Sequence, residues 1–288
     1  MEDKLRTAYR RCRTETRHEA TNFYWAFITL PRRRRAAIYA VYSLFRRWDD
    51  IADSELPLEE KRQALEEQKK LLLDLYRAHV EDDFVLLAVG DVIRRYGVPR
   101  RYFEEVLAGI ELDLRKRRYQ TFEELKKYCY GVASAVGLIS LEIFGYHGPE
   151  AKEHAIDLGI AMQLTNILRD IKEDLERDRI YLPQEDLERF GYSEGELQQG
   201  IANDSFCKLM QFEIARAREY FAQGRQLLKY LPLRSRPCPA ILAGLYQQIL
   251  GRIEAHDYNV FAGRIGLSPR EKLSTMLWAS TRGLLAFP

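Results

Sequence analysis

Long apolar runs, alternating strand-like stretches and a strong net charge are all missing from this 288-residue chain. No segment approaches the ~20 consecutive apolar residues that a membrane-spanning helix requires. Lysine and arginine number 45 against 43 aspartates and glutamates, a net charge of +2. That balance supplies no bulk attraction for nucleic acid, and no nucleic-acid partner is expected. The four cysteines, Cys12, Cys129, Cys207 and Cys238, form no CxxC pair. Neither a disulfide framework nor a structural zinc site is expected, and a reducing cytoplasm fits best. The five histidines contain no HExxH, and such spacings are what local zinc sites use. GxGxxG and GxxxxGK[ST] are absent too, so the local signatures of Rossmann and P-loop sites are not there. The opening "MEDKLRTAYRRCRTETRHEA" is charged throughout, unlike a secretory signal or an anchor.

What is present is helix after helix. "PRRRRAAIYAVYSLFRRWDDIAD" sets Pro31 ahead of apolar residues at helical spacing. "TFEELKKYCYGVASAVGLISLEIFGY" opens with Thr121 and Glu124 in capping-box spacing. "PEAKEHAIDLGIAMQLTNILRDIKEDLERD" reads as one long helical pattern. No linker, repeat or composition break divides the chain, so the expectation is one all-α domain over residues 1–288, of about ten helices. Two stretches without charge, Tyr128 to Leu141 and Leu158 to Leu168, read as central core helices. Their small residues also leave room beside the backbone for a long apolar ligand. The run Arg32 to Arg35 reads as a solvated first turn. Peripheral contact with anionic lipid is its alternative reading.

Two acidic sets carry the chemistry. In "RRWDDIAD", Asp49 and Asp53 are four apart, so a helix places them on one face, where like charges repel. In "QLTNILRDIKEDLERDRIYLP", Asn166, Asp170 and Asp174 form a second stripe, with Gln163 one turn earlier. Leu164, Ile167, Leu168 and Ile171 flank that stripe, so the face is not an ordinary solvated one. Carboxylate and amide oxygens are hard donors of the kind Mg²⁺ selects. A diphosphate bridged by metal ions between two such helices explains why the aspartates are crowded. Arg46 and Arg169 stand beside the two sets and suit phosphate oxygens. Aromatic residues crowd the same segments: Phe23, Tyr24, Trp25, Phe27, Tyr39, Tyr42, Phe45, Trp48, Tyr128 and Tyr130. Some belong to the core, and others can face a carbocation.

"NFYWAFITLP", "YAVYSLFRRWDDIAD", "GIELDLRKRRYQTFEELKKYCYGVASAVGL", "QLTNILRDIKEDLERDRIYLP" and "YQQILGRIEAHDYNVFAGR" together resemble the squalene/phytoene synthases, which join two prenyl diphosphates head to head. The resemblance implies an isoprenoid-synthase-type helical bundle with a central cavity. It makes Asp49, Asp53, Tyr128, Asp170 and Asp174 the catalytic set, with Asp49 and Asp53 as the first metal pair and Asn166, Asp170 and Asp174 as the second. Arg46, Asp50, Gln163 and Arg169 then serve the diphosphates, Tyr128 lies near the reacting carbons, and Tyr246 and Arg264 lie near the diphosphate. Val132, Ala133, Val136 and Gly137 resemble the prenyl tunnel wall. Thr21 or Asn22 stands where several relatives carry serines, and Phe45 where many carry cysteine.

The implied reaction is Mg²⁺-dependent loss of diphosphate from one chain, followed by attack of the second chain's double bond and proton loss. Two farnesyl diphosphates giving presqualene diphosphate or a squalene-type C30 product is the main expectation. Phytoene formation from two geranylgeranyl diphosphates is the alternative, and tunnel depth decides between them. A terpene cyclase and a non-catalytic assembly protein are the readings outside that reaction. An NADPH-dependent reduction and the oligomeric state stay open at this level.

Overall fold

Prolines and small polar caps set where the helices of this chain begin. A computed structural model describes residues 2–19, 21–77 and 83–285. Among them are sixteen α-helices, one π-helical turn and no strand. The chain runs α1 (Glu2–Glu19), α2 (Thr21–Phe27), α3 (Arg32–Asp53), α4 (Leu58–Tyr76), α5 (Phe84–Tyr96), α6 (Arg100–Asp113) and α7 (Phe122–Cys129). After a π turn at Tyr130–Ser134 come α8 (Ala135–Phe144), α9 (Ala151–Arg169), α10 (Ile171–Glu176), α11 (Gln184–Arg189) and α12 (Glu194–Gln198). The last part is α13 (Asp204–Gly224), α14 (Leu227–Tyr230), α15 (Pro237–Ala255) and α16 (Pro269–Leu285). Pro31, Pro57 and Pro99 cap α3, α4 and α6, while Asp83 and Thr121 accept the Leu86 and Glu124 backbone N–H groups. Each side-chain cap satisfies one donor that a helix start leaves without a partner.

The count exceeds the expected ten because several elements are single turns that periodicity does not resolve, and because two long patterns break. The 121–146 pattern is interrupted by the π turn. The 149–178 pattern changes direction at Asp170, which ends α9 and begins α10 with φ −101° and ψ 17°. Backbone hydrogen bonds from Asp170 to Asn166 and from Asp174 to Asp170, each 2.9 Å, carry the four-residue register across the bend. Asn166, Asp170 and Asp174 therefore span two helices instead of one, but keep their spacing.

Around the central helix α9 pack α13, α8, α15 and the π turn. Small residues let these backbones meet. A Cβ on Gly159 would lie 2.6 Å from Ser134 Cα, and one on Gly131 would lie 2.9 Å from Gly109 Cα. Part of the small-residue stretch thus serves close helix contact, while Ala133 and Gly137 border open space. Helix α3 buries Ile38, Val41, Leu44 and Trp48. Arg32 and Arg33 are exposed, but the two residues after them are not simply solvated. Arg34 donates to Ser235 Oγ at 2.8 Å and Arg35 to the Ile28 carbonyl at 3.0 Å, which corrects that reading for half of the run. No helix among the described residues is long and apolar enough to cross a membrane.

One pairing outside the helices matters for the site. The segment after α10 lies along the segment after α6: Ile180 N–H donates to the Arg117 carbonyl and Gln184 N–H to the Tyr119 carbonyl, both at 2.9 Å.

Candidate active site

A largely apolar cavity of about 370 Å³ runs between α3, α8 and α9. Its wall climbs α3 from Ile38 to Asp49 and α9 from Ala155 to Asn166, about 16 Å of helix on each side. Asp49, Gln163, Asn166 and Tyr246 form the polar end. Phe144, Leu227 and Pro239 line the other. Ser235 Oγ receives the Arg34 hydrogen bond and donates to the Phe144 carbonyl at 3.0 Å, which ties the end of α8 to α3. Val132, Ala133, Val136 and Gly137 line the wall. Of the ten aromatics, Phe23, Phe27, Tyr42 and Phe45 line it. Tyr39 and Trp48 are buried in the core, Tyr24 stacks on Tyr39, Tyr130 donates to Glu105, and Trp25 is exposed.

The polar end opens onto a rim of carboxylates. Asp49 keeps solvent-accessible surface at the mouth, yet protein encloses it on most sides. That enclosure, and then the charge of Asp53, pushes its carboxyl up to about 7. Burial, and then Asp170, pushes Asp174 up to about 7 as well. Arginines balance part of this charge. Arg177 Nη1 is 3.3 Å from Asp53, Arg179 Nη1 is 3.2 Å from Asp113, and Arg264 Nε is 3.5 Å from Asp170. Arg169 pairs with Asp170 and donates Nε to Oδ1 at 2.7 Å. Asn166 Nδ2 donates to Gln163 Oε1 at 3.2 Å.

The rim suits a divalent cation in its chemistry: every donor is a hard oxygen, and the crowded charge makes two carboxylates hard to ionise without one. Among the described residues, no three His, Cys, Asp or Glu side chains converge as a ready metal cage. Mg²⁺ commonly takes only one or two carboxylates, with phosphate oxygens and water completing its shell.

Three placements differ from the sequence-based expectation. Arg46 and Asp50 pair at 2.9 Å in a second groove, with Glu15, Ser43, Arg47 and Ser54, and not in the apolar cavity. They sit on another side of α3 from Asp49, and Tyr42 borders both spaces. Tyr128, expected beside the reacting carbons, is outside the cavity wall and is buried against Tyr119 and Tyr181. Its hydroxyl faces the acidic rim through Tyr181, 3.3 Å away. The side chains of Thr21 and Asn22 lie outside the described residues.

Asp113 is the residue that periodicity missed. It ends α6, accepts the Tyr181 hydroxyl at 2.5 Å and pairs with Arg179. Burial raises its pKa, and Arg179 partly offsets that. Its partners lie in "RDRIYLP", a segment the sequence marked without showing where it leads.

A family model described as squalene/phytoene synthase matches residues 16–271. The chain is 40% identical over 278 residues to a 15-cis-phytoene synthase of Synechocystis sp., covering 92% of this chain and 82% of that one. It is 38% identical to a 15-cis-phytoene synthase of Synechococcus elongatus, covering 96% of this chain and 94% of the other. A solved dehydrosqualene synthase in complex with ligand superposes with a TM-score of 0.89 at 28% identity, covering 97% of both chains. The fold is therefore the expected all-α isoprenoid-synthase one, and the named sequence relatives favour the C40 alternative over the C30 expectation. The chain belongs to the squalene/phytoene synthase family, and it is a prenyltransferase of the head-to-head type.

Proposed function

We propose that this protein is a phytoene synthase, coupling two geranylgeranyl diphosphates head to head and releasing diphosphate. One observation carries the reading: an apolar cavity takes Asp49 of the first row and Asn166 of the second into its polar lining, in a chain 40% identical over 92% of its length to a 15-cis-phytoene synthase. The farnesyl reading keeps the support of the dehydrosqualene synthase fold at 28% identity, which is the weaker likeness. We take residues 1–288 as one working domain.

In this reading Asp49, Asp53, Asn166, Asp170 and Asp174 hold Mg²⁺ at the mouth. The chemistry the metal supplies when bound is neutralisation of the departing diphosphate. Arg169 and Arg264, already at Asp170, lie within reach of a diphosphate seated between the rows. The apolar wall excludes water from the allylic cation, so that the second chain's double bond captures it instead. Phe23, Phe27, Tyr42 and Phe45 present rings to that space, and ring faces favour a cation. Gln163 and Tyr246 border the same mouth and orient the diphosphate end. Proton loss closes a cyclopropane; departure of the second diphosphate, rearrangement and a second proton loss then give phytoene, so no reductant is needed for that product.

The test is turnover of purified protein with Mg²⁺ and geranylgeranyl diphosphate, and separately with farnesyl diphosphate, followed by mass analysis of the extract. The proposal expects a C40 hydrocarbon from the first. A C30 product alone would return the assignment to the farnesyl reading, and single-chain terpenes would point to a cyclase.

A further inference from the structure

We propose that Arg118 is a positioning residue of the coupling reaction, clamping the turn that holds Arg177 and Arg179 against the acidic rim. The proposal rests on the prenyl coupling read above, because the arginines it places serve the reaction only where a diphosphate binds.

Arg118 lies between α6 and α7 and spends its whole guanidinium on protein. Nε donates to Glu194 Oε1 at 3.0 Å, and Nη2 donates to the same oxygen and to Asp178 Oδ1, both at 2.8 Å. Nη1 donates to the Asp178 carbonyl at 2.7 Å and to the Arg117 carbonyl at 3.0 Å. A guanidinium has five N–H donors, so none is left for a ligand. Arg118 therefore reaches the reaction only through what it holds.

What it holds is a turn that needs support. Asp178 follows the end of α10 with φ 56°, in the left-handed region that residues other than glycine rarely occupy. Such a backbone persists where its surroundings over-determine it. Here Arg117 Nη1 donates to the Arg177 carbonyl at 2.8 Å, and Arg118 takes the next carbonyl. Ile180 N–H then returns a bond to the Arg117 carbonyl. Glu194, the first residue of α12, anchors the clamp from outside.

Arg177 and Arg179 flank Asp178, and both reach the rim. Arg177 Nη1 is 3.3 Å from Asp53, while Arg179 Nη1 is 3.2 Å from Asp113 and 4.0 Å from Asp53. These contacts are longer than those of Arg118, so they exchange more readily for phosphate oxygens, which arginine forks suit. A fixed turn leaves the two side chains little to order when a diphosphate arrives, and that preorganisation favours binding.

Full-length Arg118→Gln removes the clamp and leaves Arg177 and Arg179 in the chain. Calorimetric titration with inorganic diphosphate at saturating Mg²⁺ should give a Kd about tenfold higher than wild type. KM for geranylgeranyl diphosphate should rise alongside. Mg²⁺ alone should bind unchanged or up to about fivefold tighter, because Arg177 is no longer pinned on Asp53. A merely structural residue would weaken both ligands together. Added to Arg177→Gln/Arg179→Gln, Arg118→Gln should change the diphosphate Kd by less than about twofold, since it acts through those side chains. Arg118→Lys should recover only part of the affinity, because an ammonium lacks the planar fork. Diphosphate affinity within about twofold of wild type in Arg118→Gln would overturn the clamp. So would a further loss of about tenfold on top of the double variant, or a parallel weakening of Mg²⁺ binding. Should Arg118→Gln not fold, Glu194→Gln loosens the outer anchor alone and decides instead. A diphosphate Kd raised about threefold then supports the clamp, and an unchanged one overturns it. Wild type inactive on both chain lengths would remove the coupling reaction and the clamp's purpose together, whereas an active wild type with an unimpaired variant removes the clamp alone.

Discussion

Arg177 Nη1 lies 3.3 Å from both carboxylate oxygens of Asp53, joining positions 124 residues apart. The segment that follows the second aspartate row thereby reaches the first row directly. The pair is exposed, with side-chain accessibilities of 57% and 47%, so its role in stability is small. Arg177→Ala should change unfolding free energy by less than about 1 kcal/mol. It should, however, free Asp53 for a divalent cation and tighten Mg²⁺ binding in the absence of substrate, roughly twofold to fivefold. Calorimetric titration reads this, and weaker or unchanged Mg²⁺ affinity would contradict the assigned competition.

Asp49 and Asp174 both titrate near about 7 in the folded protein, against about 3.9 when unfolded. Between those values the folded state binds more protons than the unfolded one, so their contribution to stability falls as pH rises from about 4 to about 7. Above about 7 both are charged and the repulsion is fully present. A cation should relieve it there and much less at low pH, where the sites are protonated. The rise in Tm on adding Mg²⁺ is expected to be larger near pH 8 than near pH 5.5. Equal rises at both pH values would show that these carboxylates do not take the metal.

Gly159 sits where α9 meets the π turn, and a Cβ there would be 2.6 Å from Ser134 Cα. Gly159→Ala should cost about 1–3 kcal/mol, because backbone and not a mobile side chain must move. Gly251, also helical, has open space around its would-be Cβ. Gly251→Ala should be neutral or gain up to about 1 kcal/mol from helix propensity. Denaturant titration of both variants decides, and equal effects would contradict the packing argument.

Ser140 lines the cavity one helical turn before Phe144, and its hydroxyl donates to the Val136 carbonyl of its own helix turn. Ser140→Phe should fill the Phe144 end and leave the aspartate rim untouched. Turnover should then shift from geranylgeranyl toward farnesyl diphosphate, read as the ratio of C40 to C30 products. An unchanged ratio would mean that the chains do not reach Ser140.

What the sequence made legible follows from how local each feature is. Asp49 with Asp53, and Asn166 with Asp170 and Asp174, show themselves because each row lies within one stretch of helical register. Even the bend at Asp170 leaves that spacing intact, since the backbone bonds continue across it. The tunnel wall and Tyr128 were reached through family resemblance and not through periodicity. Asp113 and Tyr181 have no local signature at all: 68 positions separate them, and only the pairing of two loop segments brings them together. Arg46 and Asp50 share α3 with Asp49 but open on a different groove, a distinction of helix face that needs the neighbouring helices to be seen.

The most direct test of the central claim is a competition assay with equal farnesyl and geranylgeranyl diphosphate and Mg²⁺, using wild type, Asp49→Ala and Asp170→Ala. The account predicts a C40 hydrocarbon as the main wild-type product, and a loss of at least about a hundredfold in each variant, since each removes a donor for the charge that develops on the leaving diphosphate. A main C30 product, or C40 formation that survives either substitution, would contradict it.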